Sequence, residues 1–147
     1  HRGIEGIHDL IVHDYGPGRC MISLHAEVSA NDDILTIHDS IDHIERELQE
    51  TLGCHAVIHM DPLAVDDSLT ADTRQKIAAL IHCIDEAINI HDFRMVTGPT
   101  HTNVIFDIVL PPSHHGRERE IKERFDSLLK AEHPECNTVI TFDHNYN

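Results

Sequence analysis

The residues with the clearest capacity for chemistry are His59 and Asp61, two positions apart in the run Val57-Ile58-His59-Met60-Asp61-Pro62. In an extended strand this spacing puts both on one face, about 7 Å apart along the chain, with Ala56, Ile58 and Met60 on the other. An imidazole and a carboxylate so placed can share a metal ion. The plain alternative is a strand end that is polar because it is wet. A second imidazole, His25, changes the balance. Along Met21 to Val28, Ile22, Leu24, Ala26 and Val28 form one face and Met21, Ser23, His25 and Glu27 the other, which puts His25 on a polar face and not in the core. Pro62 lacks the N–H that a sheet ladder needs, so the strand is predicted to stop there and deliver His59 and Asp61 to its end.

The charge balance favours cation chemistry. Eleven Lys+Arg against 26 Asp+Glu give a formal net charge of -15. Such a chain repels nucleic acid and anionic lipid and attracts cations. Its fifteen histidines are many for its length, and imidazole is the commonest metal ligand. Most of them must still be solvated surface residues. The four cysteines, Cys20, Cys54, Cys83 and Cys136, stand singly, with no C-x-x-C. They read as reduced, mostly buried thiols of a cytosolic protein. No stretch approaches the roughly eighteen apolar residues of a membrane helix, and no signal peptide is recognisable. The start at His1-Arg2 without a methionine suggests a piece of something longer.

The elements that must carry these residues can be read in order. Ile7 to Asp14 and Arg19 to Val28 form a hairpin around Tyr15-Gly16-Pro17-Gly18. Asn31-Asp32-Asp33 caps a helix with the stripe Ile34, Ile37, Ile41, Ile44 and Leu48, which Gly53 ends. His38 lies at the edge of that stripe. A strand from Cys54 to Met60 completes a ββαβ unit. A second helix is predicted from about Ala71 to Ile88, and the pattern then repeats. Ile90-His91-Asp92 answers Ile7-His8-Asp9, Gly98-Pro99 answers Gly16-Pro17, and Asn103 to Leu110 stands for Met21 to Val28. A helix near Arg117 to Ala131, with Ile121, Phe125 and Leu128, precedes a last strand at Thr138 to Asp143. The chain therefore reads as an internal duplication. Its fold class is α+β: two tandem ferredoxin-like or metallochaperone-like ββαβ units linked by a helix, one over 1–64 and a divergent one over 65–147.

Gly6-Ile7-His8-Asp9-Leu10, Leu24-His25-Ala26-Glu27-Val28, Ile37-His38-Asp39-Ser40-Ile41 and Val57-Ile58-His59-Met60-Asp61-Pro62 together resemble the cytosolic C-terminal domain of cation diffusion facilitator transporters. The resemblance covers residues 4 to 62. It implies a domain at the cytoplasmic face of the cell membrane, homodimeric, whose partner is the membrane-embedded part of the same transporter. It also implies a divalent ion held by His8, His25, His59 and Asp61, with His38 contributing from the helix in cis or across the dimer. Zinc is the first choice for three imidazoles and a carboxylate. Manganese, iron or cadmium are the alternatives, and Glu27, Asp9 or Asp39 could supply oxygen to a harder ion. A free-standing metallochaperone or ligand-sensing module is the runner-up. An enzyme is not expected, because H-E-x-x-H, G-x-S-x-G and a glycine-rich phosphate loop are all missing from the sequence. In the second copy, Asp107 replaces His25, Thr141 replaces His59 and Lys122 falls near His38, so no equivalent metal site is expected there. His114-His115 reads as an inert loop pair.

Overall fold

The computed structural model describes residues 3–144. The chain divides into two compact units, His1–Val65 and Asp66–Asn147. In the first, β1 (Gly6–Asp14) and β2 (Cys20–Ser29) form the hairpin, α1 (Ile34–Leu52) follows, and β3 (Cys54–Leu63) returns. The sheet order is β1-β2-β3, with β1 antiparallel and β3 parallel to β2. A parallel pair needs a crossover, and α1 supplies it. Asp33 caps the start of α1 by accepting from the Thr36 N–H, and Gly53, with φ 67°, ends it in the left-handed conformation. Ile37 and Ile41 are buried against Ala26 and Val28, with Leu24, Ile58 and Met60 around them. The helix thus covers the face of β2 opposite His25 and Glu27.

Pro62 does not stop β3, which runs on to Leu63 with Pro62 in register beside Val28. The reason is topological: β3 lies at the edge of the sheet, where a missing N–H costs no ladder hydrogen bond. Asp61 is therefore held inside a strand. The cysteines also depart from expectation. Cys20 and Cys54 are joined by a disulfide, because the β2–β3 register sets them side by side. Cys83 is exposed, and Cys136 is a buried thiol.

The second unit contains α2 (Asp67–Ile84), β4 (Asn89–Thr97), β5 (Thr102–Leu110), a short 3-10 turn at Pro112–His114, α3 (Glu118–Glu132) and β6 (Cys136–His144). Its sheet, β4-β5-β6, repeats the pairing of the first. The linking helix lies four residues earlier than predicted at each end. Asp66 caps it by accepting from the Leu69 N–H, and Asp85, in extended conformation, terminates it. Val104, Phe106, Ile108 and Leu110 of β5 are all buried, and Phe106 meets Phe125 of α3 edge to face at 5.7 Å. Leu129 completes the α3 face with Ile121 and Phe125, in place of the Leu128 read from the pattern.

Both units bend their first strand at the same point. The ladder is irregular between His8 and Ile11 and again between His91 and Arg94. At each bulge an aspartate has positive φ, Asp9 at 53° and Asp92 at 54°. Aspartate tolerates that region better than most residues.

Candidate metal centre

The uncovered face of the first sheet carries two rows of polar residues, set by strand register. His8 pairs with His25, and His25 with His59, in one row. Gly6 pairs with Glu27, and Glu27 with Asp61, in the next. The rows converge on Asp61. Its Oδ2 lies 2.9 Å from His8 Nε2 and 2.9 Å from His25 Nδ1, and its Oδ1 lies 3.2 Å from His59 Nε2. The rings follow one another across the sheet at centroid spacings of 4.9 and 4.8 Å.

Glu27 completes the inner part. Its Oε2 is 2.9 Å from His8 Nδ1, and the side chain is buried beside Gly6. A Cβ at Gly6 would come within 3.3 Å of the Glu27 carboxyl carbon, so the glycine gives the carboxylate room to lie against β1. His8, Glu27 and Asp61 are 9, 2 and 7 % exposed. His25 is half-buried and His59 exposed, so the cluster is closed at its base and open toward solvent.

A neutral imidazole has one N–H and one lone pair. His8 nevertheless has a carboxylate oxygen at 2.9 Å from each ring nitrogen. If Nδ1–H donates to Glu27, the lone pair of Nε2 faces the lone pairs of Asp61, and that contact requires a positive charge between them. A proton or a metal ion supplies it. Glu27 then fixes the tautomer and ring orientation, as the carboxylate behind a metal-bound histidine does. Ligand atoms of His8, His25 and Asp61 all lie within 4.8 Å of one another. The 2.9 Å contacts are near the roughly 3.3 Å that separates two ligands of one tetrahedral zinc. The donor set fits a divalent cation.

Of the five predicted ligands, four share this face and one does not. His38 sits on α1, beyond the opposite side of the sheet, with an exposed side chain 3.8 Å from Asp42. It does not reach the cluster within one chain. Asp39 is likewise on the helix, 3.4 Å from His43. Asp9 helps to line an open hollow of about 400 Å³ together with Ile11, Ser23, His25, Val57 and His59. The sequence alone does not reveal Glu27 as the partner of His8. Its signal was its place on the same face as His25 two residues away.

In the second unit the equivalent positions are His91, Asp107, Thr141 and Asp143, with Val109 in place of Glu27. The Asp107 carboxyl is pushed above the usual range by burial, by the charge of Asp143 and by a hydrogen bond with Asp92. Lys122 of α3 holds Asp126 at 2.6 Å. His114 is engaged within the fold, between Asp85 and the Arg117 guanidinium.

Residues 1–63 match the family described as cation efflux protein, cytoplasmic domain. No curated protein matches the chain. Among the described residues, no helix is long and apolar enough to cross a membrane.

Proposed function

With residues 1–63 matching a cation efflux cytoplasmic domain, we propose that the chain is the cytosolic regulatory part of a divalent metal efflux transporter, working at the cytoplasmic face of the cell membrane. His8, His25, His59 and Asp61 bind the transported class of ion, and Glu27 positions His8. The observation that carries this reading is the buried imidazole of His8 between two carboxylates, an arrangement that a cation completes. Three nitrogens and one oxygen favour zinc, with manganese, iron or cadmium as competitors. The role is binding and not catalysis.

Two such chains form a homodimer through the first unit. Its sheet leaves Ile7, Leu10, Ile11, Val12, Met21 and Val57 exposed over its two faces, apolar side chains that a second copy would cover. The charge of -15 opposes association, and bound cations relieve that repulsion. His38, remote from the cluster in its own chain, contributes across this dimer.

Calorimetry with zinc and with manganese tests the site. Wild-type chain binds zinc with one dominant site, and Asp61→Ala weakens it about tenfold or more. Equal affinity in the two proteins would remove the assignment. Sedimentation with and without zinc tests association, and a monomer at high micromolar concentration under both conditions contradicts the dimer.

A further inference from the structure

Cys20 and Cys54 take no part in the metal cluster, yet they stand on β2 and β3, two of the three strands that build it. Each is the first residue of its strand, and the parallel register pairs them directly. Their Cα atoms are 4.5 Å apart, inside the range of about 4.4 to 6.8 Å that a disulfide spans. Thirty-four positions separate them in sequence, including all of α1. Cys54 is buried beside Ile22 and Ala56, while Cys20 is half-buried at the border of that cluster. A disulfide in a domain of cytoplasmic type is unusual, since that compartment keeps thiols reduced and the bonds found there are mostly transient.

We propose that Cys20 and Cys54 form a reversible thiol-oxidation site that clips β2 to β3. In the reduced state they are two thiols. A small-molecule disulfide such as oxidised glutathione supplies the oxidant, and Cys20, the more accessible sulfur, attacks it as thiolate. A mixed disulfide forms on Cys20 and one glutathione thiolate departs. The Cys54 thiolate then attacks the Cys20 sulfur and expels the second glutathione. The two cysteine protons leave with the two glutathione thiols, and one disulfide has been exchanged for another. The bridge holds the register that sets His25 beside His59 and Glu27 beside Asp61, five and seven residues further along the same strands. The second unit serves as an internal control. Thr102 and Cys136 occupy the equivalent pair, and burial together with Glu135 pushes the Cys136 thiol up, away from reactivity.

That the bond is reversible in the cell rests on the cytoplasmic reading above; the pairing of the two sulfurs does not. The test uses the full chain carrying Cys83→Ser, which removes the exposed thiol. It is equilibrated in glutathione buffers, one mostly oxidised and one mostly reduced at the cytosolic ratio, then alkylated and mapped by peptide mass. The expected result is a linked Cys20–Cys54 peptide in the oxidised buffer and full alkylation of both in the reduced one. The thermal midpoint should rise by several degrees on oxidation, and Cys20→Ser should abolish that rise. Two separately alkylated cysteines in the oxidised buffer overturn the proposal, as does glutathione left on Cys20. A bond that survives the reduced buffer overturns it as well, by making the link permanent. Because the thiol readout needs no metal, a failed zinc titration would count against the metal reading and leave this one standing.

Discussion

The two halves of the chain share a strand order, a register and a bulge, and they differ in what covers the first strand. Ile7 and Ile90 occupy the same register position, opposite Ala26 and Ile108. Ile7 is 54 % exposed and Ile90 4 %. Nearer the hairpin end and beyond the bulge, Val12 is 56 % exposed and its counterpart Met95 2 %. The second unit has α2 packed on β4, with Ile77, Leu80 and Ile81 buried, and the first has no such helix among its described residues. The same comparison runs in reverse on the other face. There the first unit gathers three imidazoles and two carboxylates, and the second keeps one imidazole among aspartates. One copy is covered and chemically plain, the other open and chemically equipped.

The largest effect should come from the covered strand. Ile90→Asp places an unpaired carboxylate in the core and should destabilise the second unit by about 3–5 kcal/mol, enough to unfold it. Ile7→Asp should cost under about 1 kcal/mol and weaken self-association. Denaturant titration read on both variants tests the contrast, and equal losses would erase it.

Next in size is metal binding. Asp61→Ala should cost about tenfold or more in zinc affinity, whereas Asp143→Ala should leave it unchanged. The comparison can also be broken deliberately. Asp107→His, Thr141→His and Val109→Glu together restore in the second unit the set present in the first, and a second zinc equivalent in calorimetry is the expected outcome. Acid should weaken the native site, because coordination needs the imidazole lone pair and protons compete for it. Affinity should decline as the solution is taken from about pH 7.5 to about pH 5.5. A flat profile down to pH 5.5 would argue against histidine ligation.

Smaller still is the effect of His38→Ala. It should leave zinc affinity unchanged at protein concentrations where the chain is monomeric and lower it where the chain is dimeric. Loss in the monomer would mean that the ligand acts in cis. The smallest effect belongs to Asp107. Its folded carboxyl titrates above its unfolded value, so ionising it opposes folding, and this penalty grows as pH rises through that window. Asp107→Asn should therefore raise the unfolding midpoint slightly at neutral pH and lose the advantage in acid, as a pH series of melts would record.

The strand pattern was legible because the two periods, 2 and 3.6, are written in the apolar residues. Ile22, Ala26 and Val28 mark the covered face of β2 as clearly as Ile37 and Ile41 mark that of α1. The polar face that carries His25 and Glu27 follows from the same alternation. Edge position is not legible in a sequence, and for that reason the pattern predicts a stop at Pro62. Nor is the β2–β3 pairing at residue level, which alone tells that Cys20 meets Cys54. The His8–Glu27 contact escaped because it crosses from one strand to the next and depends on the space left by Gly6.

The outer rim of β3 is an open row of peptide groups, and there the Glu45 carboxylate of α1 accepts from the Ile58 N–H at 3.0 Å. A strand from another molecule approaching that rim would meet a fixed negative charge where it needs a donor-acceptor match, and would have to displace it. At that point the rim is guarded against templated strand addition, the route by which open sheets grow into fibres.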